Sequence, residues 1–331
     1  MENSLPADKK RNLLVKAEDQ TDYKYGKVPE ERTLEEHINH GIINLDKPSG
    51  PTSHEVAAWV RKILEVKKTG HGGTLDPKVT GILPVAIQTG TKVLQSLLLA
   101  GKEYVCIMNL HQEVPRQKIL SICNEFIGEI YQRPPIRSSV KRRLRTRHVY
   151  YFNILEISEK KVLCRIGCQA GTYIRKICSD VGEALKVGAH MAELRRTRTA
   201  CFKEDETLCT LHDLKDAHAF WKEDSEEKYL RKVILPVEEA IRHLPKVTIR
   251  DSAIEAICHG ASLAAPGILK LETGIKKKDL VGILSLKGEL IALGKALKTS
   301  SEILKIDHGI LIKTERVIMD KGTYPSWNEY K

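Results

Sequence analysis

The 331-residue chain has no apolar run near the ~18–20 residues that a membrane-spanning helix needs. Its first twenty residues, MENSLPADKKRNLLVKAEDQ, contain no apolar stretch of the signal-peptide kind. None of the eight cysteines, Cys106, Cys123, Cys164, Cys168, Cys178, Cys201, Cys209 and Cys258, stands in a C-x-x-C pair. Reduced thiols in a cytoplasmic protein are the expectation, with no membrane partner. Cys164 and Cys168 in VLCRIGC fall on one face of a strand, which makes them small buried hydrophobes rather than metal ligands. G-x-x-x-x-G-K-[ST], H-E-x-x-H, the EF-hand loop, G-x-S-x-G and the dinucleotide fingerprint are also missing. Metal, redox-cofactor and serine-hydrolase chemistries therefore have no motif support. There is no internal repeat and no low-complexity tract.

What is present is a core-forming composition, 41% apolar and 29% charged, with a net charge of +11. That charge is unevenly spread. Arg137–Arg147, RSSVKRRLRTR, holds six basic residues and no acid, and LRRTR at Leu194–Arg198 adds three. Lys203–Lys228 is acid-rich. A solvated surface also produces charge runs, but segregation of this kind favours a polyanionic partner, nucleic acid above all.

The length suggests two domains. Residues 1–40 read as a charged, weakly periodic extension, with packing on the C-terminal barrel as one expectation. GIINLDK opens residues 41–245 as a strand. PTSHEVAAWVRKILEV follows as a helix, with Thr52 and Glu55 as its capping box. KEYVCIMNL and KVLCRIGCQ alternate as strands. AGTYIRKICSDVGEAL turns into a helix with Thr172 as N-cap and an apolar stripe of Ile174, Ile177, Val181 and Leu185. Residues 246–322 change texture, with short strands punctuated by Gly282, Gly288 and Gly294, as in a small β-barrel. A tail of 323–331 closes the chain. Strands and helices without a regular βα alternation give the fold class α+β: a mixed, largely antiparallel sheet flanked by helices, plus a small all-β barrel. The barrel is expected to be removable without unfolding the rest.

KKTGHGGTLDPKVTGILPV, Lys67–Val85, places one acid, Asp76, in a glycine-rich turn among basic residues. Pro77 biases Asp76 away from the helical region and stiffens the turn. Gly70, Gly72 and Gly73 are expected to admit another backbone closely. A fixed, accessible carboxylate in a basic protein suits nucleophilic catalysis on an RNA base or sugar. From TLDP alone, an Asx-type turn in which Asp76 caps its own loop is the simpler reading.

The larger pattern resembles a known family. GHGGTLDPKVTGILPV is similar to the catalytic signature of the TruB family of pseudouridine synthases. GIINLDKPSGPTSHEV resembles that family's opening and KEYVCIMNLH its K-x-Y strand. IYQRPPIRSSVKRRLRTR resembles its Q-x-P-P segment, and GCQAGTYIRKICSDVGEAL with HMAELRRTRTACF its G-T-Y-I-R and L-R-R-T-R segments. The C-terminal region looks like a PUA domain. The resemblance spans about residues 41–322. Within the family the chain resembles the dyskerin type, archaeal members most of all. The bacterial insertion after the K-x-Y strand is missing, and the chain ends soon after Met319 without a Lys-rich tail.

The resemblance implies an isomerase that converts uridine to pseudouridine in RNA, needing no metal or redox cofactor. It implies Asp76 as nucleophile, attacking the base or the sugar, or removing a sugar proton. It implies Arg175 paired with Asp76, and Tyr104 stacked on a flipped uridine or moving its C5 proton. Tyr173 and Leu194 would line the pocket, with His71 near the flipped nucleotide and Cys168 in the pocket wall or core. Lys141, Arg142, Arg143, Arg145, Arg147, Arg195 and Arg196 would hold RNA backbone. Implied partners are tRNA, rRNA and an H/ACA guide RNA. With them come the H/ACA core proteins: a small zinc-ribbon-like protein, a small β-barrel protein and a kink-turn-binding ribosomal-type protein. A stand-alone synthase for the T-loop uridine of tRNA, and a non-catalytic RNA-binding scaffold, are the alternatives.

Overall fold

The computed structural model describes residues 4–134 and 143–330. Among these residues the strands form two sheets, of eleven and seven strands. Among the described residues no helix is long and apolar enough to cross a membrane.

The main path of the larger sheet runs Leu208–Cys209, Gly41–Lys47, Thr80–Ile87, Ala189–Thr199, Lys102–Leu110, Lys161–Cys168, Arg145–Ser158 and Gly128–Gln132. Off this path, Phe202–Lys203 pairs with Ala189–Thr199, Leu235–Pro236 with Gly41–Lys47, and Thr69–His71 with Thr80–Ile87. Two of its pairings are parallel, Thr80–Ile87 with Ala189–Thr199 and Leu208–Cys209 with Gly41–Lys47. Its other pairings are antiparallel, as the α+β reading expects. The alternation read in KEYVCIMNL is real. Tyr104, Cys106 and Met108 point into the core, and the residues between them are half-buried. Val162, Cys164, Ile166 and Cys168 share the buried face of the next strand. Helix Ile174–Ala184 packs Ile174, Ile177 and Val181 onto that face, and Leu185 just past its end is buried with them.

The capping box of helix Ser53–Ile63 forms as expected, with Glu55 Oε2 accepting from the Thr52 N–H at 2.8 Å. The second expected cap does not form. Tyr173, not Thr172, occupies the N-cap position, and it makes no side-chain cap. Thr172 instead donates to the Gln169 carbonyl at 2.7 Å, closing the preceding turn.

The seven-stranded sheet runs Leu13–Val15, Ile268–Glu272, Lys246–Ile249, Leu280–Leu284, Leu290–Ala296, Ile310–Val317 and Leu263–Ala264. Its hydrogen-bonded order does not close on itself among the described residues. Helices Asp251–Cys258 and Ser300–Lys305 contribute Ile254, Ile257 and Ile303 to its core. This part is therefore mainly β rather than all-β. Its edge strand comes from the N-terminal extension, with Leu14 opposite Leu271. Lys16 Nζ then caps the end of Ser300–Lys305, reaching the Ile306 carbonyl at 2.6 Å. The extension also reaches the larger sheet, where Arg198 pairs with both oxygens of Asp8.

Candidate active site

The sequence T-L-D-P-K-V builds an outward-facing carboxylate by burying its neighbours. Leu75 and Val79, on either side of Asp76–Lys78, are 4% and 3% exposed and plug into the core. Between them the chain turns, the Val79 N–H donating to the Asp76 carbonyl at 3.0 Å. Two buried polar groups fix the turn from below. Lys47 Nζ donates to the carbonyls of Pro48, Pro77 and Val79, each at 2.9 Å. Ser53 Oγ accepts from the Leu75 N–H at 2.8 Å. Neither Lys47 nor Ser53 was among the sequence-based candidates. Both lie in the opening motif, and a buried polar residue carries no hydropathy signal.

The glycines before the turn serve close packing, though not of backbone on backbone. A Cβ on Gly70 would lie 2.8 Å from Leu94 Cδ1, and one on Gly72 3.0 Å from Leu97 Cδ1. Side chains of the segment that follows Thr80–Ile87 fill that space. Gly73 has a φ of +131°, which only glycine adopts without strain.

Arg175 stands in the first turn of Ile174–Ala184 and pairs with Asp76 across 99 residues of sequence. No hydrogen bond among the described residues turns the Asp76 carboxylate back into its own loop, so the Asx-turn reading fails. The Asp76 side chain is 55% exposed and that of Arg175 53%. An ion pair this open adds little stability; its effect is to orient the carboxylate. Gln132 positions the helix start. Its Oε1 accepts from the Tyr173 N–H at 3.0 Å and its Nε2 donates to the Tyr173 carbonyl at 3.1 Å. Gln132 was missed as a site residue, although it is the Q of the Q-x-P-P segment.

Asp76 and Arg175 border a cavity of about 460 Å³ that Tyr104, Tyr173, Leu194, Met191, Lys102 and Arg196 also line. Tyr104 is 8% exposed. Burial raises its pKa, while Arg196 beside it works in the other direction. Cys168 is buried nearby, and burial pushes its thiol up to about 12, which removes it as a nucleophile.

His71 is not among the residues lining the cavity. It sits on strand Thr69–His71, with its ring edge-on to His54 at 4.8 Å between centroids. Burial, then His54 and Arg196, lower its pKa to about 4.

The basic residues divide. Arg196, expected on RNA backbone, is 1% exposed and cannot reach it. Its strand packs against Gly81, whose φ of +100° lets the two backbones approach closely. Arg195 is tied to Asp46 at 2.8 Å and to Glu204, so its charge is already answered. Arg143 is exposed, and Arg145 and Arg147 are half-buried. Arg147 Nε donates to the Gly171 carbonyl at 3.1 Å, beside the cavity. Lys141 and Arg142 lie outside the described residues.

Residues 61–174 match the TruB family pseudouridylate synthase N-terminal domain, and 175–242 the tRNA pseudouridylate synthase B C-terminal domain. Residues 245–318 match the PUA domain, and 2–57 the DKCLD domain. The chain is 60% identical to a protein of Thermococcus kodakarensis named probable tRNA pseudouridine synthase B, over 98% of this chain and 97% of that one. A namesake from Methanopyrus kandleri is 59% identical over 97% and 95%. Among solved structures, a chain of a Cbf5–Nop10–Gar1 complex superimposes with a TM-score of 0.95 at 59% identity, covering 98% of both chains. A chain of an H/ACA RNP bound to a substrate RNA containing 2′-deoxyuridine gives 0.93 at 56% identity, covering 98% of this chain and 100% of that one. The chain therefore belongs to the TruB family of pseudouridine synthases, and within it to the dyskerin type.

Proposed function

We propose that the protein isomerises uridine to pseudouridine within RNA, chiefly as the catalytic subunit of an H/ACA guide ribonucleoprotein. The observation that carries this reading is the Asp76 carboxylate. It is held outward by a turn with buried ends, aligned by Arg175, at the edge of a cavity of nucleoside size. A uridine flipped out of its RNA would enter the cavity and lie against Tyr104. Asp76 then acts on the base or the sugar. The N1–C1′ bond breaks, the uracil turns, C5 bonds to C1′ and loses its proton, and N1 takes one up. Burial keeps the Tyr104 phenol neutral, which suits stacking.

Arg143, Arg145 and Arg147, together with Lys141 and Arg142, hold RNA backbone in this reading and carry no sequence information. Selection of the uridine falls to a guide RNA and to the C-terminal PUA domain. The small zinc-ribbon-like, β-barrel and kink-turn-binding proteins complete the particle. The similarity to chains solved within H/ACA complexes supports this assembly. Eight free thiols and the absence of a spanning helix among the described residues support placing it in the cytoplasm.

The relatives' name, tRNA pseudouridine synthase B, favours a second reading in which the chain modifies tRNA without a guide. Turnover on a T-loop transcript, compared with a guide–target pair plus partner proteins, separates the two. A scaffold role predicts that Asp76→Asn binds RNA and leaves modification unchanged.

A further inference from the structure

Two cations lie beneath the cavity with no acid to answer them. Lys102 is 5% exposed and Arg196 is 1% exposed, and both line it. Lys102 Nζ donates to the carbonyls of Leu97 at 3.1 Å, Leu98 at 3.3 Å and Ala100 at 2.9 Å. Arg196 donates through Nε to Ile82 at 2.8 Å and through Nη2 to Gly73 at 3.1 Å, both carbonyls. A Cβ placed on Gly73 would lie 3.6 Å from both Arg196 Nη1 and Lys102 Cε, so the two side chains converge under the loop that leads to Asp76. None of the ion pairs among the described residues includes either one. Asp76 is the one acid among the described residues that line the cavity, and it faces Arg175.

Carbonyl oxygens, and for Arg196 also the Tyr104 side chain, take hydrogen bonds from these cations but bring no net charge. Desolvating an unanswered cation disfavours its charged form. Lys102 registers this: burial, and then Arg196, lower its pKa to about 7. Arg196 and Lys102, side by side under a cavity, form a site for negative charge within it, and such charge would hold the Lys102 proton in place.

Uridine isomerisation supplies that charge, so this inference rests on the function proposed above. If the N1–C1′ bond breaks, its electron pair leaves with the uracil and spreads over O2 and O4. If Asp76 adds to C6, the C5–C6 pair moves into the ring and onto O4. Either way the uracil becomes anionic inside the cavity. In the first case C5 uses its pair to bond C1′; in the second it does so as the N1–C1′ pair passes to N1, and Asp76 leaves C6 when C5 loses its proton. In both, C5 releases its proton and N1 takes one up, so the charge disappears. No oxidant, reductant or water is consumed. We propose that Lys102 and Arg196 stabilise this transient uracil anion through space, and thereby set the rate of the step that forms it.

The test is single-turnover conversion by the full chain, on whichever RNA and partner set the wild type converts. The target position carries uridine or 5-fluorouridine, and loss of the starting nucleotide is followed by nuclease digestion and chromatography. Fluorine at C5 stabilises the uracil anion by itself, so that substrate depends less on the protein's cations. Lys102→Met is expected to slow the uridine reaction on the order of 10–100-fold. It should slow the 5-fluorouridine reaction distinctly less and leave RNA affinity unchanged, and Lys102→Arg should restore most of the rate. Equal slowing on both nucleotides would make Lys102 a merely structural residue and overturn the proposal. So would a Lys102→Met rate equal to wild type. If Lys102→Met does not melt cooperatively, Lys102→Gln takes its place, keeping an NH2 donor for the carbonyls without the charge. A wild type that leaves uridine unconverted would strike the synthase reading itself, a failure distinct from those of the variants.

Discussion

The ammonium of Lys47 lies 2.9 Å from the carbonyl of Pro77, the residue directly after Asp76. It also takes the carbonyls of Pro48 and Val79, so one fully buried cation ties strand Gly41–Lys47 to the turn that presents the carboxylate. Lys47→Met would leave three carbonyls without this donor. A stability loss of roughly 2–4 kcal/mol is expected from the lost buried bonds. Denaturant unfolding measures it. An unchanged midpoint would mean that the turn holds itself.

Arg175→Ala should separate orientation from binding. The pair it makes with Asp76 is more than half exposed, so the melting temperature should barely move. Turnover should collapse while RNA affinity stays within a few-fold. A large loss of affinity would instead make Arg175 a clamp on RNA backbone.

Removal of residues 246–331 should destabilise what remains, contrary to the expectation from sequence. Leu290, Leu293 and Ile318 of the C-terminal part share one core with Ile42, Ile82 and Val237. Glu238 pairs with Arg32 and also accepts from the Leu290 N–H at 2.8 Å. The truncation would expose that core and strand the extension that supplies Leu13–Val15. A truncated chain with cooperative melting near the wild-type temperature would show that this junction contributes little.

Acid should weaken the fold through His243. Its Nε2 sits 3.0 Å from the Ser96 carbonyl, and its buried Nδ1 has no partner. Burial lowers its pKa from 6.5 to about 4. The unfolded chain therefore takes up this proton first. The stabilisation is complete above about pH 6.5 and is lost as pH falls towards 4, by up to ~1.4 kcal/mol per pH unit. His71, lowered to about 4 by burial, and His37, His40 and His218, also lowered by burial, act in the same direction. Stability, read from melting, should therefore fall between pH 7.5 and pH 5, and His243→Gln should reduce the slope. An identical slope in the variant would assign the acid sensitivity elsewhere.

Much of the frame was legible because it rests on periodicity. The strands around Tyr104 and Cys164 and the stripe from Ile174 to Leu185 follow apolar spacing, and the capping box at Thr52 follows the polar Thr-x-x-Glu spacing. The nearness of Arg175 and Asp76 came from family resemblance, since nothing local links residues 99 positions apart. Polar burial was not legible. Leu194–Arg198 is almost wholly polar, so its alternation does not reveal that Arg196 points inward and Arg195 outward. Lys47, Lys102 and Gln132 were passed over for the same reason: each is buried by partners that lie far away in sequence or on the backbone. Thr172 has the right chemistry for a cap, but the Gln169 carbonyl claims its hydroxyl.

The most direct test of the account is tritium release from RNA labelled at uridine C5, because the new C–C bond expels that hydrogen. Wild type and Asp76→Asn would be compared on a T-loop tRNA transcript and on a guide–target pair with the partner proteins. The account predicts release by the wild type, fastest on the guide–target pair, and none by Asp76→Asn. Release that persists in Asp76→Asn, or no release by a wild type that still binds RNA tightly, would contradict it.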